Sequence, residues 1–592
     1  MIVVGHPEAD EDPRAQTAAA QILDVDDTPG AADLGDVLDQ ASGVEVRRAG
    51  GLGRARTVQL RGAGAHQIAV YLDDVPLHGG RGGAIDLSTV PLAWLDSVTV
   101  VRGAAAAVDG GGAQGGVLRL HLRRAGLGHR ARARMRFGAG GFAALDGGVV
   151  AGDLDQGLLA AASVQGAEGD FAFRDAQGEP RRRRNDDHRQ AGALLHGRTE
   201  ALGGELAGLI EGVALERGEP GVEQFEDLDA RSAQQRGQIG LRWSRGAESW
   251  QIEAVGFGRL QGWRFTDPAP SDAAAPTDVR LRDDAQGLRV AATWLPDDHA
   301  VTLTLDGRRD AAVTRANDAE DRDEARLAGA VTAIEAWTPH RRLTLTGALR
   351  LDAAQGRDPL PIPAAGAVMR LPRGLTLRAN AGRAFRDPAF DELYFRGAGL
   401  AGDPTLRPED GWALDAAIQW LPNNRLLFEI TAFHQRYDRL ILFVPVSAFL
   451  LRATDDRGAT LSGAELRAEV RLNRITAAAG YDRLAHAFDH APHAPLPYRP
   501  DAAAFGALAL NLRRATLHTR VRWRDAVHTD IYGVRTLPAQ TTWDAGVEGD
   551  LGLGFAAGMV ARNLLDATAA DAVQQPLPGR SLLFEVRYDG SP

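Results

Sequence analysis

The 592-residue chain contains no cysteine and no lysine; all 67 of its basic residues are arginines. Without cysteine there can be no disulfide, no thiolate metal ligand and no cysteine nucleophile. Without lysine, amine-based covalent catalysis and a P-loop lysine are excluded. Basic excess is missing too: 67 basic against 78 acidic residues leave a formal charge of −11, which argues against a nucleic-acid partner. No stretch approaches the roughly 18 to 20 uninterrupted apolar residues of a membrane-spanning helix. A membrane β-barrel stays open, because its lipid-facing residues alternate with polar ones and the hydropathy averages out. The start, Met1-Ile2-Val3-Val4 followed by Gly5-His6-Pro7, has neither a basic region nor an apolar leader core. On this reading the chain is either cytosolic or shown without the leader of an exported precursor. No Gly-x-Ser-x-Gly, His-Glu-x-x-His or P-loop pattern occurs, so no enzyme is expected.

What is present divides unequally. Residues 1–28 are polar, acidic and Ala-rich and are expected to form a flexible lead-in. Residues 29–127 are Gly-punctuated. The short strands Thr57–Leu60, Ile68–Leu72 and Ser97–Val101, with a helix over Ala32–Gln40, predict a small α/β domain. From residue 128 to 592 the style changes to period-two alternation, as in Val301–Leu305, Leu343–Thr346 and Thr516–Trp523. Asp-, Gly-, Pro- and Arg-rich stretches such as Asp175–Arg189 and Asp267–Asp278 separate these runs. Alternation alone leaves a soluble sandwich, propeller or β-helix beside an outer-membrane barrel. Length favours the barrel: about 465 residues suit twenty-two strands at roughly 21 residues each, connections included, and a barrel that wide leaves a lumen that a small domain would fill.

An ordered motif series narrows the choice. It runs Leu34-Gly35-Asp36-Val37-Leu38, Ser42-Gly43-Val44, Val58-Gln59-Leu60-Arg61-Gly62, Val70-Tyr71-Leu72-Asp73-Asp74-Val75-Pro76, Leu95 to Gly103, and Gly115-Gly116-Val117-Leu118. In this order it resembles the plug of TonB-dependent outer-membrane receptors. Gly382 to Tyr394, Gly402 to Glu409, Phe433 to Ile441, Asn563-Leu564-Leu565-Asp566 and Pro578-Gly579-Arg580 resemble the barrel of the same family, most of all its vitamin B12 and siderophore branch. Departures are Ser42 where the family usually has Pro, Val108-Asp109-Gly110, Leu118-Arg119-Leu120, and Asp589 to Pro592 after the aromatic Tyr588.

The resemblance implies a 22-stranded antiparallel transmembrane β-barrel with an N-terminal α/β plug in its lumen, in the bacterial outer membrane. It implies a monomer that imports a ferric siderophore, corrinoid or similar chelate with energy from a periplasmic TonB-type transducer and its inner-membrane motor. Ile2, Val3, Val4 and Gly5 resemble the segment that pairs with that transducer by strand addition. Arg61 and Arg102 are implied to dock the plug against the barrel glutamates Glu409 and Glu465. Arg48, Arg54, His78, Gly79, Gly80 and Arg81 are the plug residues expected to meet substrate, since Arg suits anionic or carbonyl-rich ligands. No cofactor or resident metal is expected; Asp175–Asp187 and Asp318–Asp323 would be the places for Ca²⁺ in outer loops. His486, His490 and His493 share one loop. The alternatives are a passive or vestigial plugged porin and a surface attachment protein.

Overall fold

The computed structural model describes residues 19–590 apart from 104–109, 111, 125–127, 154, 176–177, 271–275, 317–320, 398, 448–449 and 492–493. Among these residues, twenty-two antiparallel strands close a barrel, from Gly128–Gly138 to Ser581–Gly590, which pair with each other. Each strand obeys the pleat. Along Glu409–Asn423, Trp412, Leu414, Ile418 and Trp420 face outward while Glu409, Asp415 and Ala417 are buried in the lumen. The outer face is thus apolar and the inner face charged.

One rim is closed by tight turns such as 202–203, 248–249 and 341–342; the other carries the long connections 168–187, 219–230, 387–408, 489–501, 525–539 and 563–580. Leu426–Ser447 and Leu450–Arg471 have 22 residues each, well beyond the roughly ten that a tilted strand needs to cross a bilayer, so they project past the barrel at the long-loop rim.

The plug fills the lumen. Its main sheet contains β1 (Ala19–Asp24), β4 (Ile68–Leu72), β5 (Val75–Pro76), β6 (Leu95–Arg102) and β7 (Gly116–Leu122) in the order β1-β6-β7-β4-β5; β2 (Val44–Arg48) and β3 (Arg56–Leu60) form a separate hairpin. The helix α1 (Leu34–Leu38) is shorter than its sequence pattern suggests and is capped by Asp33, whose carboxylate accepts the Asp36 N–H at 3.2 Å. The lead-in expected over residues 1–28 is corrected. Residues 19–24 form β1 and pair with β6 from Ala19↔Arg102 to Asp24↔Ser97. Gln21, Leu23 and Val25 face inward, an alternation too short and too rich in Ala and Asp to stand out from sequence. Ile2, Val3, Val4 and Gly5 lie outside the described residues.

The plug core is built from Leu34, Leu38, Leu60, Leu72, Trp94, Val98, Leu118 and Leu120 and continues into the wall through Leu159, Leu194, Leu209 and Val213. Those four sit on the adjacent strands Gln156–Ala167, His188–Ala201 and Gly204–Gly218. Trp94 packs on Gly192, where a Cβ would lie 2.9 Å from the indole. One side of the plug is therefore seated on the wall by apolar contact.

Candidate functional site: the plug–barrel interface

The opposite side of the plug is ionic. Three plug turns, at Ser42-Gly43, Arg61-Gly62 and Arg102-Gly103, meet the wall formed by Glu409–Asn423, Leu426–Ser447, Leu450–Arg471 and Ile475–Phe488. All three glycines have left-handed φ, +70°, +78° and +79°, and a Cβ on Gly43 or Gly103 would collide with the carboxylates of Glu465 or Asp415. The Arg-Gly pairs thus bring backbone and guanidinium together against the wall.

Arg61 forks onto Glu465, Nε to Oε1 at 2.7 Å and Nη2 to Oε2 at 3.0 Å. Arg102 donates from Nη1 to the same Glu465 Oε2 at 3.1 Å and to the Ser42 carbonyl at 2.8 Å. Asp415 lies 3.9 Å from Arg61, and Glu429 3.8 Å from both Arg102 and Arg378. The Arg61 guanidinium also covers the Phe433 ring at 4.9 Å. Three arginines thus face three carboxylates, and the Arg61, Arg102 and Glu465 side chains are at most 2% exposed. Charge-assisted, forked pairs of this kind are short and directional.

Glu409 does not join this cluster. It accepts from Arg386 Nε at 3.0 Å, from the Ile441 N–H at 2.8 Å and, on the plug side, from Gln67 Nε2 at 3.0 Å. The docking expected between the two plug arginines and Glu409 is corrected: a barrel arginine already neutralises that carboxylate, and the plug reaches it through a neutral amide. Sequence reasoning did not single out Asp415, Glu429, Arg378 or Gln67. The available signal was a charged or amide residue at an inward position of an otherwise alternating strand.

The plug residues expected to meet substrate have partners on the wall, in the loops or within the plug. Arg48 faces Asp36 and Asp39 within the plug, and its N–H bonds Asp571 at 3.0 Å. Arg54 is 3.2 Å from Asp186 and 2.8 Å from Glu219. Arg81 forks onto Asp391 at 3.0 and 2.6 Å. The His78 carbonyl accepts from Arg308 at 2.7 Å, and its ring meets Tyr71 edge-on at 5.9 Å. Burial pushes the His78 imidazole well below its usual range, and Arg308 and Arg259 act in the same direction. Gly79 abuts Asp283 and Arg259; Gly80 accepts from the Phe390 N–H at 2.9 Å. A cavity of about 200 Å³ remains between the plug and the wall beside His66, His78, Arg308, Arg326 and Arg350.

The acidic loop residues are likewise paired. Asp175 holds Arg181 at 2.8 Å and Asp187 holds Arg231 at 2.7 Å. Asp321 and Asp323 face Arg315, and 318–320 lie outside the described residues. His486 accepts from the Leu496 N–H at 3.2 Å and approaches Asp501; His490 is exposed, and His493 lies outside the described residues.

Two sequence profiles decide the family. The profile described as "TonB dependent receptor-like, beta-barrel" matches residues 170–564, and the "TonB-dependent Receptor Plug Domain" matches residues 12–117. The chain belongs to the TonB-dependent receptors. A relative among curated proteins is the vitamin B12 transporter BtuB of Photobacterium profundum, 23% identical over 424 residues, covering 70% of this chain and 66% of the relative. BtuB of Vibrio cholerae is 32% identical over 87 residues, 15% of this chain and 14% of the relative. The matches thus span less than two thirds of these relatives' length. The copper transporter OprC superposes with a TM-score of 0.83 at 17% identity, covering 96% of this chain and 99% of that one. The siderophore receptor PirA of Acinetobacter baumannii gives 0.81 at 12% identity over the whole of both chains. These likenesses establish a shared fold.

Two outcomes are expected. In the naturally cysteine-free background, Ser42→Cys supplies a buried thiol whose labelling reports loosening of the plug. Arg61→Ala or Glu465→Ala should each weaken docking by about 3–5 kcal/mol, because each strands a buried charge. The double variant should cost much less than the sum, whereas Arg61→Ala and Glu409→Ala should be close to additive. Additivity of the first pair contradicts the fork. The second outcome concerns Asp186, in the loop over Arg54. Burial pushes its carboxyl up to about 6, although Arg54 pulls it down. A folded value above the unfolded one penalises the charged form, so this group's cost is present above pH 6 and is relieved as pH falls towards 4. Asp186→Asn should raise the melting temperature at pH 7.5 and flatten its rise on acidification. A wild-type protein whose stability does not change between pH 7.5 and 5 contradicts this assignment.

Proposed function

We propose that this chain is an outer-membrane receptor that imports a scarce, bulky nutrient of the corrinoid or metal-chelate class. The energy comes from a periplasmic TonB-type transducer. The observation that carries the reading is the closed lumen. The plug is seated on one wall by apolar packing and held on the opposite wall by a buried cluster centred on Glu465, so among the described residues a solute of that size has no open path. Opening separates buried charges, which thermal motion does rarely and which a pulling partner does readily. The outer membrane has no nucleotide supply, so the work must arrive through a contact on the periplasmic side. Ile2-Val3-Val4-Gly5, ahead of β1, is the segment proposed to add as a strand to the transducer, since strand addition draws affinity from main-chain bonds and demands few side chains. The vitamin B12 and siderophore relatives support the cargo class.

The test combines binding and uptake. Detergent-folded protein is titrated with a panel of corrinoids and ferric siderophores, and uptake of any ligand found is measured in cells. Saturable sub-micromolar binding to one class is expected. Deleting residues 2–5 should leave that affinity unchanged and abolish uptake. Uptake that survives the deletion, or a folded barrel that binds neither class, overturns the proposal and favours a passive plugged porin.

A further inference from the structure

The rim of tight turns is divided into two arcs of opposite charge. In the turns at 153–155, 202–203, 248–249 and 295–298 the exposed charged residues include Asp153, Asp155, Glu248, Asp297 and Asp298, with Glu200 just before the second turn. The next five turns carry arginine alone. Arg341 and Arg342 occupy the first, Arg373 the second and Arg425 the third. Arg474 lies in the fourth, and Arg513 and Arg514 in the fifth. All seven are exposed, and no Asp or Glu occurs within 338–344, 370–375, 421–426, 471–476 or 511–516. Among the described residues their guanidiniums form no ion pair, unlike those of the lumen.

Aromatic side chains fix the depth of this arc. Trp420 stacks on Phe428 at 5.8 Å beside the third arginine turn, and Trp337, beside the first, stacks at 6.0 Å on His299 and donates to Asp298 of the last acidic turn; the two tryptophans and Phe428 are exposed on the outer face. Such a belt marks the bilayer's head-group level. The Trp420 indole N–H donates to the Arg373 carbonyl at 3.2 Å, which ties a turn arginine to the belt itself. Exposed Leu472 and Leu512 each stand within two residues of a turn arginine. Apolar stem below and guanidinium above is the arrangement of a side chain at a lipid surface.

We propose that this arc is a binding surface for anionic phospholipid head groups of the leaflet on the plug's tight-turn side, and that the opposite, acidic arc repels them. Lipid is favoured over a soluble acidic partner because leucines and aromatic rings are interleaved with the arginines at one depth. The inference rests on the barrel lying in a bilayer and needs no transported substrate, so it stands or falls apart from the import reading.

The full chain is reconstituted in nanodiscs of phosphatidylcholine with a minority of phosphatidylglycerol, and retained lipids are identified by native mass spectrometry. Phosphatidylglycerol should be enriched, by roughly fivefold for each guanidinium engaged, and the enrichment should fall as salt rises. A variant carrying Arg342→Gln, Arg373→Gln, Arg425→Gln, Arg474→Gln and Arg514→Gln should lose it, while Asp297→Asn with Asp298→Asn should keep or increase it. Heat-dependent gel mobility confirms that each barrel is folded. Should the five-site variant not insert, the salt titration of the wild type decides: enrichment that falls with salt supports the arc, and enrichment that ignores salt overturns it. Equal retention by wild type and the five-site variant also overturns it. So does absence of enrichment with arginine-dependent sedimentation on cell-wall sacculi, which assigns the arc to the wall instead.

Discussion

The ionic side of the plug is organised around one carboxylate, Glu465, that accepts two plug arginines away from water. Its energetic character matters more than its strength. A buried ion pair contributes little net stability relative to apolar packing, because desolvation offsets most of the attraction, but breaking it on one side leaves an unpaired buried charge at a cost of about 3–5 kcal/mol. Such a contact tolerates no half-open state. It is held fully or it is released into water, where the charges are solvated again and the penalty is gone. This suits a closure that must not leak and must still yield to applied work.

The rest of the interface is arranged around that contact. Leu159, Leu194, Leu209 and Val213 join the plug core on one wall, so apolar area seats the plug there without directional demand. Between this wall and the Glu465 wall, arginines reach from the barrel into plug carbonyls: Arg236 to Thr89, Arg259 to Leu77 and Arg308 to His78. Each of the three also keeps a carboxylate of its own on the wall: Glu211, Asp283 and Asp310. These three barrel arginines are neutralised on the wall and lend spare guanidinium hydrogens to the plug. The absence of lysine has a structural counterpart here, because the planar guanidinium fork aims separate N–H groups at a carboxylate and a carbonyl in a fixed geometry.

Much of the architecture was legible in the sequence. Period-two alternation marked strands such as His299–Ala316 and Ala515–Arg524, and the Arg-Gly pairs marked the turns that reach Glu465. β1 was missed because six residues of Ala, Gln, Ile, Leu and Asp carry no periodic signal of their own and become a strand only by pairing with β6. Glu409 was placed in the wrong cluster because sequence order does not show that Arg386, on the neighbouring strand, lies closer to it than the plug does. The pairing of Arg54 and Arg81 was not legible because their acidic partners Asp186 and Asp391 lie more than a hundred residues away in sequence and become adjacent only after closure. Charge at a plug turn is visible in sequence; who neutralises it is not.

The Glu465 cluster resists withdrawal of the plug, which should yield before the barrel does. Single-molecule pulling from the N-terminus, on protein reconstituted in a bilayer, tests it most directly. A plug-extraction force peak should precede any barrel rupture, fall in Glu465→Gln and stay nearly unchanged in Glu409→Gln. An extraction force indifferent to Glu465, or strands of the barrel rupturing before the plug moves, would contradict it.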